Sequence, residues 1–134
     1  MRKTGLEIES YIYGVVRDGI SVRGSVYRGG TRPFDSKGED AVVSFLSGRD
    51  GWDGFSQVGV VNVNVHVPNI SGSPYTIRDV SRCEEVERML LSLVEGHETG
   101  DYWLQTDETP QVIPDGDNFH VVNLRIKYRY NRIN

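Results

Sequence analysis

The sequence predicts an α+β domain, a mostly antiparallel five-stranded sheet with two helices packed on one face, in the order α-β-β-β-α-β-β. Three features carry that expectation. Residues 58–67, Val-Gly-Val-Val-Asn-Val-Asn-Val-His-Val, alternate so that Val61, Val63, Val65 and Val67 point one way and Asn62, Asn64 and His66 the other. Phe119 to Tyr130 repeats the pattern, with Val122, Leu124, Ile126, Tyr128 and Tyr130 opposed to Asn123, Arg125, Lys127 and Arg129. Two segments with apolar residues at helical spacing supply a layer to cover the valines.

Taken in order, Leu6, Ile8, Ile12, Val15 and Val16 predict a first helix, with Thr4 as its cap and Gly19 as a left-handed stop. Between Ile20 and Arg28, Ile20, Val22, Gly24 and Val26 oppose Ser21, Arg23, Ser25 and Tyr27, which reads as a half-buried strand ended by Gly29-Gly30. Thr31 to Asp40 contains Pro33, Gly38 and several charges and reads as a loop. Ala41 to Leu46 is a short apolar strand. Gly48 to Gln57 reads as a glycine-rich segment that separates it from the long strand, and its Trp52 and Phe55 leave two readings open, a contact loop or a lid folded back on the core.

Pro68 to Pro74 breaks the chain again, and Ser81-Arg82-Cys83-Glu84 matches a capping box. The helix it opens runs to about Glu95, with Cys83, Val86, Leu90, Leu93 and Val94 on one face and Gly96 closing it. Asp101 to Thr106 and Gln111 to Ile113 form shorter strands around Pro110. Pro114-Asp115-Gly116-Asp117 is a turn into the last strand.

At 134 residues the chain is long enough for one domain, 1–134, with a single core. Its hydrophobic fraction is only 37%, with 15 glycines, so partner subunits are expected to complete its apolar burial. A net charge of -4 argues against a general nucleic-acid binder, whose phosphate contacts demand a basic excess. Cys83 is the single cysteine, which excludes an internal disulfide and a cysteine-based zinc site and fits a reducing cytosol. The opening Met-Arg-Lys-Thr-Gly leads into Glu7 and Glu9 instead of an apolar signal core, and no stretch approaches the roughly 20 apolar residues that cross a bilayer. A protein without a membrane partner is expected.

No catalytic signature accompanies the strands, and no enzyme is expected. His66, His97 and His120 fit no short metal motif, and His66 and His120 read as polar-face strand residues. The acidic groups Asp35, Glu39 and Asp40, and Asp107, Glu108, Asp115 and Asp117, lie in Pro/Gly-bounded loops and read as solvated charge. Asp115-Gly116-Asp117-Asn118 lacks the twelve-residue ligand series of a calcium loop. Cys83 sits on an apolar helical stripe as a small hydrophobe. No phosphate-binding glycine motif is present, so no metal or other cofactor is expected. The ladder Arg125, Lys127, Arg129 is the one charge feature that stands out. It is read as cross-strand pairing with acidic neighbours, against the rival reading of contact with an acidic partner or DNA phosphates.

Several strings together resemble the tail-terminator, or tail-completion, proteins of long-tailed bacteriophages, or a related head-tail neck protein. They are Val26-Tyr27-Arg28, Thr31-Arg32-Pro33, Glu39-Asp40-Ala41-Val42-Val43, Gly59-Val60-Val61-Asn62-Val63-Asn64-Val65, the helix with Glu87 to Leu93, and Asn118-Phe119-His120-Val121-Val122-Asn123-Leu124. The resemblance implies a structural virion protein, assembled in the host cytoplasm, whose homo-hexameric ring ends the tail tube and joins it to the head connector. It further implies the tail tube protein and neck or connector proteins as partners, with genome DNA passing through the channel without specific binding. The Gly48 to Gln57 insertion departs from the family pattern. On this view Trp52, Phe55 and the acidic hairpin Asp107, Glu108, Asp115 and Asp117 meet neighbouring ring proteins, and Arg125, Lys127 and Arg129 face another subunit or the tube. The alternatives are a neck or head-completion adaptor, a nucleic-acid-binding module using the Arg125/Lys127/Arg129 face, or an enzyme pairing a strand histidine with a loop carboxylate.

Overall fold

Two long strands, Ser56–Pro68 and Phe119–Asn131, form the spine of the fold, because each alternates buried and more exposed residues over most of its length. The computed structural model describes residues 2–70 and 77–132, so most of the predicted Pro68 to Pro74 break lies outside the described residues. The elements are α1 (Gly5–Gly19), β1 (Val26–Arg28), β2 (Asp40–Asp50), β3 (Ser56–Pro68), α2 (Val80–Val94), β4 (Tyr102–Thr106), β5 (Gln111–Asp115) and β6 (Phe119–Asn131). The α+β class and the two-helix cover of one sheet face are as the sequence predicts. The sheet, however, has six strands in the order β1-β2-β3-β6-β4, with β5 also on β6. β4 pairs with the C-terminal half of β6 and β5 with its N-terminal half, so both short strands share one edge of the long one.

One pair is parallel. β1 lies beside the start of β2 with Val26 opposite Ala41 and Arg28 opposite Val43, so the segment between them doubles back over the length of β1. The predicted strand from Ile20 to Arg28 shrinks to Val26–Arg28. Ahead of it, two of the main-chain donors are taken by side chains: Arg23 N–H donates to Glu39 Oε1 at 3.1 Å and Ser25 N–H to Asp40 Oδ1 at 2.9 Å, with Gly24 N–H between them on Glu39 O.

The inner face follows the alternation. Val61, Val63, Val65 and Val67 of β3 and Val122, Leu124 and Ile126 of β6 are buried against Ile8, Ile12 and Val16 of α1 and Cys83, Val86, Leu90 and Val94 of α2. Each fully buried valine or leucine is worth about 1.5–3 kcal/mol relative to exposure, so this layer dominates folding. Cys83 behaves as the small buried hydrophobe the sequence predicts, and burial raises its thiol pKa.

Helix boundaries depend on side chains. α1 has the predicted Thr4 cap, reinforced by a reciprocal bond with Glu7. Its end differs: Gly19 has no positive φ, and the chain simply turns extended at Ile20. Gly19 is there for proximity, since a Cβ would lie 2.2 Å from Leu93 Cδ2 of α2. α2 starts ahead of the predicted Ser81 box, with Asp79 as cap accepting from Arg82 N–H. Gly96 closes it with φ 76°, as expected.

The glycine-rich stretch from Gly48 to Gln57 is not all loop. β2 and β3 pair through Arg49–Val58 and Asp50–Gln57, after a bulge at Leu46, so only residues 51–55 turn the chain. Gly48 and Gly59 face each other across this hairpin and make room for the buried Tyr128 side chain, whose hydroxyl donates to Ser47 O at 3.4 Å. Beyond them the Gln57 side chain exchanges two bonds with the Lys3 main chain, anchoring the segment before α1.

Candidate functional site

The outer face of the sheet carries no helix. Residues directly opposite one another share a face, so the register builds a polar patch: Ser44 beside Asn62 beside Arg125, and Val42 beside Asn64 beside Asn123. Asn123 Nδ2 donates to Asn64 Oδ1 at 2.7 Å, and a weaker contact of 3.4 Å reaches Asn62. β5 curls over the edge of this patch, leaving an open groove of about 440 Å³ between the amides and Glu108, Gln111 and Asp115.

His66 closes one end of that groove. Its Nδ1 lies 3.2 Å from Asp115 Oδ2, and its ring meets Phe119 edge-on at 6.2 Å. Burial, then the Arg32 charge, lower its pKa below the usual histidine value, outweighing the attraction of Asp115, so the imidazole is neutral at pH 7. His66 is a polar-face residue as predicted. His120 is not: it stands opposite Val67, on the helix side of the sheet, where Nδ1 bonds Asn69 Oδ1 at 2.6 Å. A one-residue step along a strand reverses its face, and the alternation from Val122 back to His120 already implied this. The groove does bring a histidine and a carboxylate together. Its described lining offers no hydroxyl or thiol nucleophile beside them, and among the described residues no group of three metal-binding side chains converges.

Two acidic residues read as solvated are buried instead. Glu39 and Asp40 are each 3% exposed. Asp40 opens β2 and Glu39 precedes it, so they point to opposite sides, and each meets an arginine: Arg82 grips Glu39 through Nε (2.8 Å) and Nη2 (2.6 Å), and Arg32 Nε reaches Asp40 at 3.0 Å. Burial pushes both carboxyls upward, but the hydrogen bonds and charges from Arg82 and Arg23 at Glu39, and from Ser25, Ser36 and Arg32 at Asp40, outweigh it and hold both below the ordinary range. Arg32 also stacks over Phe119 at 5.3 Å, which folds the Thr31–Asp40 segment down onto the outer face. Asp35 remains exposed.

The cationic ladder is divided. Arg125 approaches Asp107 at 3.7 Å and Arg129 meets Asp53 at 2.7 Å, while Lys127 is exposed between them. The acids are cross-strand or hairpin neighbours, which is the pairing the alternation favours. Glu108 and Asp117 are exposed at the β4–β5 and β5–β6 connections, and Asp115 is shared with His66. The predicted acidic hairpin is therefore two separate loops.

The hairpin tip between β2 and β3 is the most exposed apolar feature. Trp52 is 102% exposed and Phe55 59%, so neither ring forms a lid on the core. The tip is nonetheless braced. Asp53 accepts from Phe55 N–H at 2.8 Å, Ser56 N–H at 3.0 Å and the Ser56 hydroxyl, and its carboxyl pKa is lowered first by the Phe55 bond. Gly54 adopts φ 76°, and its carbonyl accepts from Arg132 at 2.6 Å. Sequence reading singled out the aromatics but missed this bracing; the Asp-Gly pair beside them was its signal. No protein-family model matches the chain, and no curated protein sequence matches it.

Proposed function

We propose that this protein is a structural assembly subunit, a ring-forming component that ends a phage tail tube and joins it to the head connector. The observation that carries this reading is the hairpin tip: a fully exposed Trp52 on a turn whose backbone is braced by Asp53 and Arg132. Exposed tryptophan on a pre-ordered loop is the residue type and the setting that anchor protein interfaces, because little entropy is lost when it docks. Further support comes from Phe34, Phe55 and Leu46, which are also exposed, and from an outer sheet face with no helix over it. Apolar exposure of this kind in a chain with a modest apolar content fits a subunit whose burial is completed by neighbours.

The nucleic-acid alternative is weaker, since Arg125 and Arg129 already face Asp107 and Asp53. Sedimentation velocity at high micromolar concentration tests the assembly reading, followed by electron microscopy of whatever forms. Closed rings are the expected result; a strict monomer overturns it.

A further inference from the structure

A second concavity among the described residues lies away from the amide groove. It is a cavity of about 740 Å³ between the outward side of α2 and the β4–β5 connection, walled by Met89, Leu91 and Pro110 and rimmed by Glu84 and Glu87. Glu84 is exposed and Glu87 half-buried on the flank of the helix, and the rim has Arg88 to offset them and Glu85. An apolar floor with an acidic rim calls for an aromatic side chain flanked by positive charge.

The hairpin tip has that composition. The hairpin that carries Trp52 also carries Arg49, and its two acids gather three more arginines, Asp50 pairing with Arg2 and Arg132 and Asp53 with Arg129. Arg49 is exposed in the same hairpin and adds positive charge in a chain of net charge -4. The Trp52 ring is fully exposed, so it touches no groove of its own chain.

We propose that Trp52 of one subunit docks into the α2 groove of a second copy, with Arg49 against Glu84 and Glu87. This rests on the assembly reading and names its contact. Knob and groove are different surfaces of one chain, so the contact is heterologous and repeats head to tail, which closes as a ring or grows as a filament. An indole in such a groove removes most of its surface from water, and the arginines steer its approach.

The test compares the wild type with Trp52→Ala, which keeps the groove, and with Glu84→Arg/Glu87→Arg, which keeps the knob. Circular dichroism and thermal melts are expected to show both variants folded, because Trp52 and Glu84 are exposed and Glu87 is only half-buried. Sedimentation velocity is expected to show each variant associating at least tenfold more weakly. Mixing the two variants restores one good contact per pair and is expected to give a species no larger than a dimer. If the wild type assembles and either variant assembles equally well, or the mixture stays monomeric, the contact is wrong while the assembly reading stands. If the wild type is itself monomeric, both fall.

Discussion

Replacing Arg82 by methionine isolates the buried ion pair that ties α2 to the sheet. Arg82 makes two bonds to Glu39, one from Nη2 to Ser21 O at 2.9 Å, and one from Nη1 to Glu85 at 2.9 Å. It therefore holds together the helix, the segment after α1 and the start of β2. Removing it leaves a carboxylate with 2% side-chain exposure and the Arg23 N–H as its remaining donor. The two bonds to Glu39 are charge-assisted, at about 1.5–3 kcal/mol each, which puts the loss at about 3–6 kcal/mol. Freeing the arginine side chain returns up to about 2 kcal/mol of rotamer entropy. The expected net loss for Arg82→Met at pH 7 is about 3–4 kcal/mol, close to what breaking one side of a buried pair costs elsewhere. That is a large share of the roughly 5–15 kcal/mol that holds a domain of this size together. The double variant Arg82→Met/Glu39→Met replaces charge by apolar volume and is expected to recover most of the loss. Urea titration followed by tryptophan fluorescence measures both. Acidification is expected to narrow the gap between Arg82→Met and wild type, as the stranded carboxyl takes up a proton. A single variant that loses less than about 1 kcal/mol, or a double variant less stable than the single one, would refute the argument.

Other outcomes follow from the same physics. Glu39 and Asp40 have depressed pKa values, so the unfolded chain binds their protons first as pH falls; their stabilisation is full above the ordinary carboxylate range and drains away below it, which acid titration of the melting temperature will record. His66, depressed by burial and Arg32, has the same sign at a higher pH: stability starts to decline as pH falls through the unfolded histidine value near 6.5. Gly59→Ala places a Cβ 2.0 Å from Ser47 O, a backbone atom that cannot step aside, and is expected to cost about 2–3 kcal/mol in urea titration. Gly14→Ala, with nothing within 4 Å in the middle of α1, is expected to stabilise by about 0.5–1 kcal/mol. Asp53→Ala is expected to speed hydrogen exchange at Phe55 and Ser56 while leaving the core amides protected.

Local alternation and spacing determined the architecture. Val61 to Val67 and Val122 to Tyr130 could be placed on the inner face from sequence because side-chain direction in a strand has period two, whatever the partner strand is. The Thr4 cap of α1 and the Gly96 stop of α2 were legible for the same reason, being contacts within one helical turn. The rigid hairpin, the face of Trp52 and the fate of the acids were not. Glycine weakened the strand signal across Gly48 and Gly59, yet the pairing continues there because the room they leave is filled by Tyr128, far along the chain. Glu39 and Asp40 look like loop charge beside Gly38, and nothing local separates a solvated carboxylate from a buried one. Arg82, on another element 43 residues away, decides the matter for Glu39. Periodic burial is a property of a segment and can be read from it. Whether a charge is buried depends on what arrives to neutralise it, and that is fixed only when distant segments pack.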